Sequence, residues 1–199
     1  MATVVKDPRS FAELTRSVFG EAMSVDQVFG LLDVELDGGG GTVPTEDSAV
    51  VSDRLWVGSI GYERYRLNTD FVAQVARSGV ERLIDVRQLP ISRRRGFAKS
   101  ALSEALAAVG IEYVHMRDLG NPKPTRDLYK SGRSAEGRAG YEHYLLSEQR
   151  EALSILALRL TEKRCTLMCV EHDSAVCHRD VIFDALENEV GLGLEVADI

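Results

Sequence analysis

The sequence predicts an α/β fold: a doubly wound, mainly parallel sheet of about five strands with flanking helices, plus an N-terminal helical extension. From about residue 53 onward, short apolar strands alternate with segments of helical period, which is typical of parallel sheets with crossover helices. A Gly-rich acidic stretch separates this part from the N-terminal segment. A chain of 199 residues therefore suits one buried domain with an appendage.

The N-terminal part is predicted to be a helical extension followed by a linker. Residues 1–36 hold two short stretches with apolar residues at helical spacing, whereas residues 37–52, which include DGGGG, lack core-forming side chains. Residues 1–52 carry a charge of −6, out of −7 for the whole chain. We expect this acidic arm to dock on its own domain or to join two copies as a homodimer, and an untethered tail is the alternative.

Residues 53–199 are predicted to form the α/β domain. Strands are expected at RLWVGSI, ERLIDVR, IEYVHM, CTLMCV and LEVADI, which are short and apolar. Helices are expected at NTDFVAQVARSG, SALSEALAAVG, YEHYLLSEQREALSILALRLTEK and CHRDVIFDALENEV. Asn68 or Thr69 is the expected cap of the first helix, and Ser100 that of the second. The polar residues 117–138 are predicted to form a long loop.

Composition argues against several classes of protein. No apolar run approaches the roughly 20 residues that cross a bilayer, so no membrane partner is expected. The N-terminus lacks an apolar signal stretch, and three cysteines do not suit a secreted disulfide scaffold, so we expect a cytoplasmic protein. Neither glycine-rich phosphate-loop motif occurs, and G-x-S-x-G is absent too. No cofactor is predicted.

Polar residues cluster where the predicted strands end, which is where parallel sheets bind ligands. Arginine binds phosphate through its planar fork, and a helix N-terminus favours anions. The residues predicted to contact an anionic small molecule or a nucleic acid are Arg87, Arg93, Arg179, Ser59, Gly61 and Tyr141. Two alternatives stay open: Arg87 in an internal ion pair with Asp85 or Glu171, and Tyr141 in the core.

The stretch CVEHDSAVCHRD, residues 169–180, is the densest group of reactive side chains. Cys177 lies near a predicted helix start, where the dipole lowers a thiol pKa, so it is a candidate nucleophile. Glu171 is the candidate acid or base, and His115 on the third strand is a second one, because histidine is a common acid or base in catalysis. The candidate catalytic residues are Cys177, Cys169, Glu171 and His115. Buried structural cysteines, or a regulatory Cys169–Cys177 disulfide, are the alternatives.

Cys169, His172, Cys177 and His178 also have the donor types of a zinc site. However, the adjacent Cys177 and His178 would point about 100° apart if both lay in a helix. The paired C-x2-C motif of zinc knuckles is also absent. We therefore predict no metal, and less than one equivalent of zinc in the purified protein.

Five segments together resemble the successive motifs of the DUF488 family, over about residues 54–199. They are VGSIGY (57–62), LIDVRQLPISRR (83–94), GIEYVHMRDLG (110–120), GYEHYL (140–145) and TLMCVEHDSAVCHRDVI (166–182). The resemblance implies a small cytoplasmic α/β protein of bacteria or archaea without an established biochemical role. Where the family usually has His-Ser, this chain has Tyr62-Glu63.

Taken with the residues, these observations predict binding of an anionic ligand, a nucleotide or nucleic acid, at the carboxyl edge of the sheet. Cysteine- and glutamate-dependent chemistry is expected to act on that ligand. The alternative is a non-catalytic nucleic-acid-binding or regulatory module with structural cysteines.

Overall fold

The computed structural model describes residues 54–199. The predicted helical extension and linker, with the docking and homodimer roles proposed for them, lie outside these residues and stay predictions. Within residues 54–199, no helix combines the length and the apolar character that a membrane crossing needs.

Strands and helices alternate along the described chain. They are β1 (Leu55–Gly61), α1 (Asn68–Arg77), β2 (Arg82–Asp85), α2 (Lys99–Ala107), β3 (Glu112–His115), α3 (Lys123–Lys130), α4 (Ser134–Glu148), α5 (Arg150–Glu162), β4 (Cys165–Cys169), α6 (His178–Asn188) and β5 (Leu194–Asp198). Single 3₁₀ turns occupy Arg117–Leu119 and Ser174–Val176.

The five strands form one parallel sheet in the order β3-β2-β4-β1-β5, which confirms the predicted fold class. Side chains of a strand alternate between the two faces of a sheet. Leu83 of β2 packs with the buried residues of α1 and α2, whereas its neighbour Ile84 packs with those of α4, α5 and α6. Helices therefore cover both faces, as in a doubly wound fold.

The strand order indicates where a ligand would bind to a sheet of this type. β2 and β4 are neighbours in the sheet, although β3 and four helices, α2 to α5, lie between them in the chain. The chain after β2 leads to α2 on one face, and the chain after β4 leads to α6 on the other. A crevice forms where successive connections leave a sheet on opposite faces, so the ends of β2 and β4 form the expected ligand-binding position.

Three local predictions were wrong. The predicted loop over 117–138 is largely helical, because its prolines lie at the start of α3 and Gly132, at φ 78°, lies between α3 and α4. The predicted continuous helix over 141–163 is interrupted at Gln149, between α4 and α5. The expected caps lie inside their helices, where Leu67 and Ala98 occupy the cap positions without a side-chain hydrogen bond.

Candidate functional site

A cavity of about 420 Å³ opens at the carboxyl ends of β2 and β4. Its walls come from residues 87–91 after β2, residues 121–130 around α3, and residues 169–178 after β4. This volume lies within the range of about 300–1,000 Å³ that is typical of small-ligand sites. The cavity therefore occupies the position that the sheet topology predicts for a ligand.

Gly61 shapes one wall of this site from outside the cavity. A Cβ atom at Gly61 would lie 1.7 Å from the carbonyl oxygen of Glu171, so only glycine lets the 169–177 loop approach the end of β1. The adjacent Tyr62 N–H donates to the Cys169 carbonyl (3.3 Å). Gly61 thus positions the loop and is not among the cavity-lining residues.

Arg87 forms the internal ion pair that the sequence left as an alternative. Its Nε and Nη2 donate to the two oxygens of the fully buried Asp85 (2.8 and 2.6 Å), and its Nη1 donates to the Phe97 carbonyl (2.9 Å). Tyr113 adds a hydroxyl donor to Asp85 (2.5 Å). Burial opposes the positive charge of Arg87, but the hydrogen bonds to Asp85 and its charge raise the pKa of Arg87 overall. Burial, followed by the charge of Asp85, also raises the pKa of Tyr113. Arg87 lines the cavity with most of its charge already compensated.

Cys169, Cys177 and His178 form a buried cluster against the cavity. Cys169 ends β4, Cys177 is the residue before α6 with extended backbone (φ −119°, ψ 152°), and His178 begins the helix. Nδ1 of His178 lies 3.7 Å from each of the two sulfurs. Its Nε2 lies 2.9 Å from the Val86 carbonyl, and because a carbonyl only accepts, Nε2 carries a proton. Nδ1 is therefore the ring atom that faces the cysteines.

The cluster favours a charged Cys177. Burial works to raise the pKa of Cys177, but Cys169 and the charge of His178 lower it well below its usual value. Burial works to lower the pKa of His178, but the charge of Cys177 raises it. The Cys177 hydrogen bond and burial raise the pKa of Cys169 well above its usual value. Burial, followed by the charge of Cys177, raises the pKa of Glu171, whose Oε2 accepts from the Cys169 thiol (3.1 Å).

Arg179 holds the loop that carries these residues. It is fully buried, and its Nη2 donates to the carbonyls of Glu171 (2.6 Å) and His172 (3.2 Å). Its Nε and Nη1 have no hydrogen-bond partner among residues 54–199. Arg179 is not among the cavity-lining residues, and its two carbonyl partners belong to the 171–172 backbone.

The remaining predicted residues lie outside the cavity lining. Arg93 is exposed, and Ser59 is buried within β1, where it pairs with Leu167 and Asp198. Tyr141 is fully buried, which is the core alternative: its hydroxyl donates to the Leu119 carbonyl (2.6 Å). His115 Nε2 donates to the Arg87 carbonyl (2.8 Å). Of the ten predicted site residues, the cavity brings together Arg87, Cys169, Glu171 and Cys177.

Sequence reasoning missed a polar wall to which α3 and two residues outside it contribute. Gln88, Asn121, Arg126, Tyr129 and Lys130 line the cavity. Arg126 donates from Nη1 to the Gln88 side chain (3.2 Å) and to the Asn121 carbonyl (3.1 Å). A helical assignment of KPTRDLYK would have revealed this wall, because residues three and four apart share one face of a helix.

A metal ion has one candidate position among the described residues. The ligand atoms of Cys169, Cys177 and His178 all lie within 4.8 Å of one another. His172, which the sequence pattern included, does not belong to this group. The geometric argument against a metal is also wrong, because Cys177 precedes the helix with extended backbone, so its side chain and that of His178 converge.

Comparisons with known proteins agree with the resemblance seen in the motifs. Searches of curated proteins and of solved structures found no match. The family described as Domain of unknown function DUF488 matches residues 67–186. This segment includes β2 to β4, most of α6 and every residue that lines the cavity. Because the match covers more than half of its 199 residues, the chain belongs to the DUF488 family.

Proposed function

We propose that the cavity binds a small anionic molecule with an apolar or aromatic part, of which a nucleotide is the best example. The observation that carries this proposal is that one cavity is lined both by cationic side chains and by exposed apolar side chains. The cavity also lies against the cluster of Cys169, Cys177 and His178. The volume suits a mononucleotide-sized ligand better than a macromolecule.

The positive charge comes from α3. Arg126 and Lys130 both line the cavity, and within residues 54–199 neither forms a salt bridge with a carboxylate. Arg87, by contrast, is paired with Asp85. A phosphate or carboxylate group would therefore be held by Arg126 and Lys130, for which it supplies the missing counter-charge.

The apolar part of the ligand has a matching surface. Leu89, Ile91 and Val176 line the cavity and are each more than half exposed, which is unusual for large apolar side chains. Tyr129 adds a ring on the same helix as the two cations. A base or another flat ring would cover these side chains while its phosphate lies on α3.

A ligand in this position would lie against Cys177 and Glu171, which line the same cavity. We therefore propose that cysteine- and glutamate-dependent chemistry acts on the bound molecule. The alternative is a binding module in which the cysteines are structural. Cys177→Ser separates the two. An enzyme would lose turnover and keep its affinity for the ligand, whereas a binding module would keep its affinity and have no turnover to lose.

We expect Arg126→Ala and Lys130→Ala each to weaken nucleotide binding by at least about tenfold, because a hydrogen bond to a charged group contributes roughly 1.5–3 kcal/mol. Isothermal titration with adenosine monophosphate, in the presence of a chelator, measures this effect. Adenosine and inorganic phosphate, tested separately, should bind more weakly than the nucleotide. Lys123→Ala is the matched control, because Lys123 is exposed on α3 and outside the cavity lining.

Equal affinity in the wild type and in the Arg126→Ala and Lys130→Ala variants would place the anion elsewhere and contradict the proposal. Tighter binding of a single-stranded oligonucleotide, lost on removing Arg93 rather than Arg126, would favour the nucleic-acid-binding module instead. No binding of any of these probes to the full chain would also overturn the proposal.

A further inference from the structure

We infer that Cys169, Cys177 and His178 form a zinc site with one open coordination position at the floor of the cavity. Two thiolates and one imidazole are donors that zinc prefers. All three residues are buried, so the ligand atoms are shielded from bulk water except through the cavity that they line.

The distances fit a tetrahedral ion. Zinc binds cysteine sulfur at about 2.3 Å and histidine nitrogen at about 2.0–2.1 Å, so tetrahedral angles put neighbouring ligand atoms about 3.5–3.8 Å apart. Nδ1 of His178 lies 3.7 Å from each sulfur, and all three ligand atoms lie within 4.8 Å of one another. A zinc ion therefore fits between them with little movement of the side chains.

The protein holds each ligand in place before a metal arrives. His178 uses Nε2 on the Val86 carbonyl, which leaves Nδ1 directed at the sulfurs, and such a second hydrogen bond accompanies most metal-binding histidines. Cys169 is fixed at the end of a central strand. Arg179 anchors the loop between the two cysteines through the Glu171 and His172 carbonyls.

The fourth position has no protein ligand among the described residues, since no further His, Cys, Asp or Glu atom joins the group. Three protein ligands with an open position are the arrangement of catalytic rather than structural zinc sites. The open position takes water or, if the proposed function is right, an oxygen of the anionic ligand. Glu171 lines the cavity beside Cys169 and can hydrogen-bond a water bound there.

Titration of the chelator-treated full chain with Co²⁺ alone tests the site. We expect one equivalent of cobalt to bind with the strong visible bands of a tetrahedral ion and with thiolate-to-cobalt absorption in the near ultraviolet. Zn²⁺ should displace the cobalt, because zinc binds such donors more tightly. Cys177→Ser and His178→Gln should each remove or greatly weaken these bands.

Cys165→Ser and His172→Gln are the matched controls, because Cys165 is buried at the other end of β4 and His172 lies in the same loop outside the ligand group. Both variants should keep the wild-type spectrum. Alkylation of the wild type, mapped by mass spectrometry, needs no substitution: Zn²⁺ should protect Cys169 and Cys177 and leave the reactivity of Cys165 unchanged.

Substoichiometric cobalt binding, an octahedral spectrum, or no protection of Cys169 and Cys177 would overturn the zinc site. Metal binding is measured without a nucleotide, and nucleotide binding is measured with a chelator. Failure of the zinc site therefore leaves the nucleotide result standing, and failure of nucleotide binding leaves the cobalt result standing.

Discussion

Asp85→Asn is expected to lower the free energy of unfolding by about 3–5 kcal/mol, because removing one partner leaves the other charge of a buried ion pair uncompensated. Asp85 is fully buried and accepts from Arg87 through two side-chain bonds and from Tyr113. Asparagine has nearly the same shape, so loss of charge rather than loss of volume causes the effect. Urea unfolding of the full chain, followed by circular dichroism, measures it.

Asp127→Asn is the matched control, because Asp127 pairs with Lys123 on the exposed surface of α3; its unfolding midpoint should equal that of the wild type. A second variant isolates the charge effect. Asp85→Asn combined with Arg87→Met should lose less than the sum of the two single losses, since no unpaired charge remains. Additive losses, or a wild-type midpoint for Asp85→Asn, would show that the pair does not stabilise the sheet edge.

Arg179→Met is expected to lower the free energy of unfolding by about 2–3 kcal/mol, because a charged donor contributes roughly 1.5–3 kcal/mol per hydrogen bond. Methionine fills much of the volume but leaves the carbonyls of Glu171 and His172 without their donor. Faster hydrogen exchange should appear in residues 171–177 and not in β5, which Arg179 does not contact through a hydrogen bond. Peptide-resolved hydrogen exchange by mass spectrometry measures this.

The opposite pattern would support the anion contact that the sequence predicts for Arg179. In that case Arg179→Met keeps wild-type exchange in residues 171–177 while nucleotide affinity falls and loses part of its salt dependence. Arg126→Ala serves as the comparison, because Arg126 lines the cavity and makes no hydrogen bond to the loop.

The fold could be predicted from the sequence because its strands are short and apolar and alternate with helices. All five predicted strands occur in the structure within a few residues of their expected bounds. The segment from Arg117 to Arg138 could not be predicted as helical, because α3 buries no residue and therefore has no apolar stripe to reveal it. Instead, α3 lies close against α4, where Tyr129 and Thr125 approach the glycines at 137 and 140.

The site could be predicted only in part. The rule that parallel sheets bind ligands at the carboxyl ends of their strands predicts where a residue lies, but not the direction of its side chain. Cys169 and Cys177 follow the rule and line the cavity, whereas Ser59 lies within the buried part of β1. Arg87 and Arg179 are both buried, and their partners lie near them in the chain: Asp85 is two residues from Arg87, and the carbonyls of Glu171 and His172 are eight and seven residues from Arg179. Which of these side chains reaches the cavity depends on tertiary packing, which the local sequence does not determine.

Tyr62 and Glu63, which stand where the family resemblance leads us to expect His-Ser, have structural roles. Tyr62 is buried and stacks on Phe97 with ring centroids 4.6 Å apart, and Arg87 lies over its ring (5.2 Å). Glu63 accepts a hydrogen bond from the His172 N–H (2.7 Å). The two residues therefore support the Arg87 side chain and the 171–172 loop from the β1 side.

The most direct test of the central proposal is the position of a bound nucleotide in a crystal structure of the full chain grown with adenosine monophosphate. We expect phosphate density within hydrogen-bonding distance of Arg126 and Lys130, with the base against Tyr129, Leu89 or Val176. An empty cavity in crystals grown with saturating nucleotide would contradict the proposal, as would phosphate density on the exposed arginines at 93–95.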